Sequence, residues 1–488
     1  MASSAESNQR ANASSESGLA VVIMAAGKGT RLKSKRPKVL HQVGGRPLLA
    51  HVIAAATRVV APQDVYVVIG HEAGQVQATV AATGVRFVVQ AEQRGTGHAI
   101  QCAEQAVAGY ANILVLSGDV PLIRPETIGQ VWKFHQAQKA AMTILTAAPE
   151  DPSGYGRVIR TGEKSAEVEA IVEQKALSAS QKSIGEINSG IYAFQSSPLF
   201  AHLGKLTSNN AHAELYLTDM AGLLRGAGQR VVATKAAEAV EVLGANTIAE
   251  LAALDATLRA ASARRLMDAG VTIYRPETCV IDATVEVAAD TIIEPFVQLL
   301  GATTVGSGCF IRSYSVIENC RLGDSVQLLQ HCVLQDSSID SGARIGPFAR
   351  MRPGCEIGED VHIGNFVETK KTRVGKGAKA NHFAYLGDTD IGARSNIGAG
   401  TIVCNYDGAS KYRTQIGEGV FVGSNSTLVA PLTVEDGAYI GAASCITKDV
   451  PADALAVGRA RQTTKEGWAS ARRARSRKKE DSGNSGSK

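Results

Sequence analysis

Two groups of residues, far apart in the chain, have the types and spacing to do chemistry. The first is MAAGKGTR at Met24–Arg31, continued by Pro37 and Lys38 so that the segment reads GxGTRLxxxxPK. Glycines at 27 and 29 let the backbone approach phosphate oxygens, which exposed N–H groups and a following helix N-terminus would meet, while Arg31 and Lys38 add positive charge. This is neither the dinucleotide fingerprint GxGxxG nor the P-loop GxxxxGK[ST], so neither a dehydrogenase nor a standard ATPase is indicated. Asp119, in LSGDVPL at 116–122, follows an apolar run and offers a carboxylate to a hard cation that bridges phosphates. The second group centres on His382 in KANHFAYLGD, where an imidazole of ordinary pKa about 6.5 could act as a general base. A lone histidine is usually structural. The weight here comes from its neighbours, Tyr385 and the polar, turn-rich insertion NYDGASKYRT at 405–414, a projecting loop that a passive spacer would not need.

The elements that must position these groups change character along the chain. From Leu19 to about Asn246, apolar runs such as LAVVIMAA, DVYVVIG, VRFVVQ and NILVLSGD alternate with helix-like stretches such as PLLAHVIAAA. This is α/β patterning with buried strands, and ligands of such sheets bind at the carboxyl ends of strands. The spacing predicts a domain over 18–246, then a helical linker over 247–275 with Leu251, Leu254, Leu258 and Leu266 on one face. Over 276–468 the period becomes six. Ile345, Met351, Ile357 and Ile363 form one series, and Ile416, Val422, Leu428, Val434, Ile440 and Ile446 another. Each hexad supplies one flat side of a triangular coil whose aliphatic side chain stacks on its equivalent a turn away, which predicts a parallel β-helix. Cys309, Cys332 and Cys355 fall in the fifth hexad slot and read as packing residues rather than redox or metal groups.

Composition narrows the class further. The eight cysteines form no CxxC pair, and the chain of 488 residues is large enough to fold without disulfides, so reduced thiols are expected. The opening 17 residues are polar, no apolar run approaches the roughly 18 needed to cross a bilayer, and a cytoplasmic protein without membrane insertion is expected. The net charge of +5 lies in the tail, since residues 471–488 hold seven Lys/Arg against two Asp/Glu. Residues 1–17 and 469–488 read as disordered. Charge runs are usually solvated, so a solubilising extension is favoured over an arm for RNA or acidic surfaces, and no specific nucleic acid is expected.

The GxGTRLxxxxPK segment resembles the signature of sugar-1-phosphate nucleotidyltransferases. QAEQRGTGHA at 90–99, LSGDVPL, GYGR at 154–157, VEQK at 172–175, INSG at 187–190 and GAN at 244–246 follow in order and agree with the uridyltransferase branch. The stretches at 365–413 are similar to the acetyltransferase half of the same bifunctional family, the N-acetylglucosamine-1-phosphate uridyltransferase / glucosamine-1-phosphate acetyltransferases of bacteria. The resemblance spans about residues 19–468. It implies a Rossmann-like nucleotidyltransferase domain before a left-handed β-helix, with acetyl transfer from acetyl-CoA to glucosamine 1-phosphate and then uridylyl transfer from UTP, releasing pyrophosphate. The product, UDP-N-acetylglucosamine, supplies peptidoglycan and lipopolysaccharide.

The resemblance also implies roles. Met24, Ala25, Ala26 and Gly27 would hold the triphosphate, Arg31 and Lys38 would neutralise it, Gln90, Gly95 and Thr96 would read the uracil, and Ser117 and Gly118 would belong to the same UTP/UDP-N-acetylglucosamine site. Asp119 and Asn246 would ligate Mg²⁺, while Gly156, Glu173 and Asn188 would bind the N-acetylglucosamine and ribose. In the second half His382 would be the base; Arg352, Lys370, Tyr385 and Asn396 would hold glucosamine 1-phosphate; and Ala399, Asn405, Tyr406, Ser424, Ala442 and Arg459 would contact acetyl-CoA. Glu368 reads equally as a group that orders this site and as a surface ion pair. A homotrimer is implied, with acetyl transfer where neighbouring coils meet. Three other readings are a transferase for another base or sugar, a single-activity enzyme whose coil only assembles trimers, and a scaffold acting through its basic tail. QAEQRGTGHA and GAN oppose the first, and His382, Arg352, Lys370 and the insertion oppose the second.

Overall fold

A computed structural model describes residues 18–162, 165–210 and 212–483, with side chains described to 477; residues 1–17, read as disordered, lie outside this range. The chain forms two compact units. The first runs to Leu266 and takes in Val280–Val285, and the second comprises Met267–Cys279 and the residues from Glu286 onward.

In the first unit the apolar runs become strands β1 (Leu19–Met24), β2 (Val65–Ile69), β3 (Arg86–Val89), β4 (Asn112–Ser117), β5 (Met142–Ala147), β6 (Arg157–Arg160), β7 (Val168–Val172), β8 (Ile187–Gln195) and β9 (Val231–Lys235). Their order across the sheet is β9-β5-β8-β4-β1-β2-β3, with β6 and β7 extending from β8. Both faces are covered, which is why the strands read as unbroken Val/Ile/Leu. Val21 and Ile23 enter one core while Ala20 and Val22 enter the other. β1 runs parallel to both β2 and β4, so Met24 lies level with Val68 on one side and Ser117 on the other. Strand order turns back at this point, and a crevice opens beyond the carboxyl ends of β1 and β4.

Two expectations for this unit are corrected. The segment after β1 does not open a helix; it makes a single 3-10 turn at Thr30–Leu32, bounded by Gly29 and Lys33, both with positive φ. Pro37 follows soon after, and a left-handed residue plus a proline leave no room for i to i−4 bonding. The helix expected as a linker, Ile248–Asp268, packs within the first unit instead, where Leu254 shares a core with Val43, Leu48 and Ala245. Its Arg259 forks between Asp255 (2.8 Å) and Asp282 (2.7 Å), which anchors it further.

The second unit is the left-handed parallel β-helix. Short strands pair in parallel with those one turn on, in the column Ile293, Ile311, Leu328, Ile345, Ile363, Ala380, Ile397, Val422, Ile440. Successive members are 17 or 18 residues apart, so some turns drop one residue from the strict hexad count. The exception is the step from Ile397 to Val422, a gap of 25 that holds the insertion at 405–414. The thiols of Cys309, Cys332 and Cys355 are buried in the coil, and burial pushes Cys332 up to about 11, as packing residues require. Of residues 469–488, read as disordered, those to Gly483 are instead part of a helix from Trp468, and 484–488 lie outside the described residues. Alanine, arginine and lysine are strong helix formers, and Arg472 lies over the Trp468 ring at 5.5 Å, but every described residue of this helix is exposed.

The coil tolerates little change in volume. Leu334, fully buried between Ile317 and Met351 of adjacent turns, should on truncation to alanine cost about 2–5 kcal/mol, read as a lower urea midpoint for coil unfolding. A methyl at Gly364 would lie inside the Asn381 carbonyl, on the strand that carries His382. Gly364→Ala is therefore expected to abolish chemistry at His382 while reactions in the first unit continue, measured as two separate assays on one preparation.

Candidate active sites

In the first unit, loops from four separated segments enclose a cavity of about 510 Å³ lined by Met24–Thr30, Lys38, Gln90, Gly95, Thr96, Ser117 and Asp119. Gly27 borders open space, where a Cβ would meet nothing within 4 Å. The Ala25 N–H is spent on Val68 O at 2.9 Å, so Ala25 lines the loop without offering a donor. Gly118 N binds Met24 O at 2.9 Å and ties the two loops together.

The charged groups converge at one end. Lys38 Nζ forms an ion pair with Asp119 and donates to Asn246 Oδ1 at 3.0 Å, and Arg31 Nη2 reaches the same oxygen at 2.9 Å. Ser117 Oγ donates to Asp119 Oδ1 at 2.6 Å. Burial alone would raise the Asp119 carboxyl, but the Lys38 charge and hydrogen bond, with help from Ser117, outweigh it and hold Asp119 below the usual carboxylate range. Gly244 packs so closely on Asp119 that a Cβ there would lie 2.9 Å from its Oδ2, and Asn246 N is held by Glu250 at 2.6 Å. The two expected metal ligands, 127 residues apart in the chain, thus aim oxygens at one positively charged point.

Gly156, Glu173 and Asn188 form a neighbouring cluster. Asn188 N binds Gly156 O at 2.9 Å, and Glu173 accepts from Thr218 at 3.2 Å. Burial, with Asp219 nearby, lifts the Glu173 carboxyl above its ordinary range against the pull of Thr218. At the other end of the cavity Gln90, buried, donates to Gly95 O at 3.1 Å, while Thr96 Oγ1 accepts from Leu217 N at 2.9 Å. Gly95 has φ +106° and packs against the Leu215 backbone, so no other residue fits there.

In the coil, the strand His362–Lys370 pairs along its length with Lys379–Gly387, which sets Asn365 beside His382 and Glu368 beside Tyr385. His382 is exposed, and its Nδ1 lies 2.8 Å from Asn365 Oδ1. That oxygen only accepts, so Nδ1 carries the proton and Nε2 keeps its lone pair. Asn381, beside it, is half-buried and its Oδ1 has no partner among the described residues. Arg352 lies 3.2 Å from Glu368, so this carboxylate pairs with Arg352, one turn away, rather than with the lysines that follow it. Lys411, which the sequence reading did not single out, comes from the insertion to lie against Lys370. Its hydrogen bond and charge, with some desolvation and Arg352 nearby, pull Lys370 below the usual lysine range. The only sequence signal was a lysine within a loop already marked by its polarity.

The remaining candidates sort into three placements. Asn396 stands in a separate column, paired with Lys379 and Phe421. Ala399, Ser424 and Ala442 follow corner glycines on successive turns and make a shelf of small side chains, with Arg459 Nη1 laid on Ala442 O at 2.8 Å. Asn405 turns inward and donates to Asp388 at 2.5 Å, so its amide anchors the insertion, whereas Tyr406 is exposed on that loop.

Comparison with known proteins bears on the family of the whole chain. A model described as a MobA-like NTP transferase domain matches residues 21–272, and one described as bacterial transferase hexapeptide (six repeats) matches 336–371. The chain is similar to the bifunctional protein GlmU of Koribacter versatilis, with 58% identity over 461 residues that cover 94% of this chain and 98% of that protein. Those of Solibacter usitatus (48%, covering 93% and 97%) and Stutzerimonas stutzeri (47%, covering 92% and 98%) are also similar. With relatives at 47–58% identity aligned along nearly their whole length, the chain belongs to the bifunctional GlmU family, the uridyltransferases and acetyltransferases of UDP-N-acetylglucosamine synthesis.

Proposed function

We propose that the two activities divide between the two units by the following roles. In the coil, Arg352 and Lys370 grip the phosphate of glucosamine 1-phosphate with Lys411, since close cations need a dianion between them, and Tyr385 and Asn396 complete the sugar site. His382 Nε2 takes the proton as the amine attacks the thioester carbon of acetyl-CoA; the C–N bond forms, the C–S bond breaks, and the coenzyme leaves as its thiol. The shelf of Ala399, Ser424 and Ala442 takes the extended pantetheine arm, flanked by Arg459, Tyr406 and the backbone at Asn405.

In the first unit the N-acetylglucosamine 1-phosphate oxygen attacks the α-phosphorus of UTP, and pyrophosphate leaves. No covalent enzyme intermediate is required, so positioning and charge neutralisation carry the rate. Met24–Gly27, with Ser117 and Gly118, cradle the triphosphate, Arg31 and Lys38 neutralise it, Gln90, Gly95 and Thr96 hold the uracil, and Gly156, Glu173 and Asn188 hold the sugars. Asp119 and Asn246 fit Mg²⁺, because their oxygens already share one cationic group in Lys38 Nζ. Bound there, Mg²⁺ would screen the charge that builds on the departing pyrophosphate. The single observation that carries this reading is that convergence of Lys38, Asp119 and Asn246 from three distant segments.

We read the assembly as a cytoplasmic homotrimer. No described helix is long and apolar enough to cross a membrane. In support of self-association, Phe296, Tyr314, His331, Phe348 and Phe366 stack at 4.8–5.2 Å along one edge of the coil, and Phe383, next to His382, is 66% exposed. Light scattering is expected to give three times the chain mass.

One incubation with glucosamine 1-phosphate, acetyl-CoA, UTP and Mg²⁺ should yield UDP-N-acetylglucosamine and pyrophosphate. His382→Ala is expected to slow acetylation by about 10²–10⁴ while sparing uridylyl transfer from ready-made N-acetylglucosamine 1-phosphate, and Asp119→Ala should do the reverse. Loss of both activities in both folded variants would overturn the division of labour.

A further inference from the structure

The amide of Gln90 makes more contacts than a uracil-reading role alone requires. Its Nε2 lies 3.1 Å from Gly95 O and also 3.1 Å from His98 Nδ1. A carbonyl oxygen can only accept, so Gly95 fixes which end of the amide is nitrogen, and one amide hydrogen is used there. The second hydrogen then points to His98 Nδ1, which must present its lone pair. That choice leaves the imidazole proton on Nε2, 3.7 Å from Cys102 Sγ one helical turn along Thr96–Val107. Burial raises the Cys102 thiol, which favours an uncharged sulfur as the acceptor of that proton. Both hydrogens of the Gln90 amide are thus committed to the protein, and Oε1 is what it has left for the cavity it lines.

Building on the uridylyl-transfer reading above, we propose that His98 is a positioning residue for base selection: by accepting the second Gln90 hydrogen it leaves only an acceptor facing the base. Uracil presents N–H at ring position 3 and satisfies that acceptor. Cytosine presents a lone pair there, so two acceptors would meet beside a buried amide. To bind cytosine, Gln90 would have to turn its amide over, setting Oε1 against Gly95 O and against the His98 lone pair that Cys102 helps to fix. Discrimination of this kind works through an unpaired buried group, which costs more than a missing contact. The relay lies within one helix and the turn before it, so it acts on the base without touching the reacting phosphates.

The test compares kcat/KM for UTP and CTP in the full chain, with Mg²⁺ and N-acetylglucosamine 1-phosphate, for three proteins. In the unsubstituted chain the ratio should strongly favour UTP. His98→Leu should lower that ratio about three- to tenfold, as expected for one hydrogen bond. His98→Asn, whose Oδ1 can occupy the position of Nδ1, should restore it. A purely packing role for His98 would lower both substrates equally in the leucine variant and would not respond to the asparagine rescue, and either result would overturn the proposal. Absence of turnover with UTP in the unsubstituted chain would instead sink the uridyltransferase reading, so the two failures are distinct.

Discussion

Parallel strand pairing governs where this chain can place chemistry. Parallel neighbours cannot be joined by a tight hairpin, so the chain must leave the sheet and return after a dozen residues or more. Residues that end up side by side are then far apart in sequence. In the first unit this sets Met24 level with Ser117 across the β1/β4 pair, and it opens the crevice where the strand order turns back. In the second it sets Asn365 beside His382 and Glu368 beside Tyr385, one turn of coil apart. Both sites lie where consecutive parallel neighbours release irregular chain.

Within that frame the polar groups hold one another in place. Asp119 is satisfied by Lys38 and Ser117, Asn246 by Lys38 and Arg31, and Gln90 by Gly95 and His98. Such mutual pairing costs less than leaving buried charges alone, and it fixes side-chain directions before any substrate arrives. The coil follows another rule at Arg352, Lys370 and Lys411. Lys411 and Arg352 pull Lys370 below the usual lysine range against the opposing charge of Asp388, while Glu368 pairs with Arg352.

Glycines supply the remaining precision. At Gly95, Gly244 and Gly364 any side chain would strike a neighbouring group, and each neighbour is or adjoins a candidate site residue: Leu215 lies near Thr96 through the adjoining loop, Asp119 is one itself, and Asn381 precedes His382. Backbone packing, rather than side-chain contact, sets the spacing at these three points.

By itself the sequence determined the two architectures, because Val/Ile/Leu runs and a six-residue aliphatic period are local consequences of burial on both faces of a sheet and inside a coil. It also nominated Gly27, Lys38, Asp119, Asn246 and His382 as candidates, by residue type and motif alone. It did not disclose that the segment after Met24 turns once instead of entering a helix, that Ile248–Asp268 belongs to the first core, or that the tail takes helical form. Nor could it pair Arg352 with Glu368, turn Asn405 inward, bring Lys411 to Lys370, or set His98 against Gln90. Those outcomes depend on which turn of chain lies over which, and that registration is decided by hydrogen bonds and packing between segments distant in sequence. Only the folded chain brings those segments together.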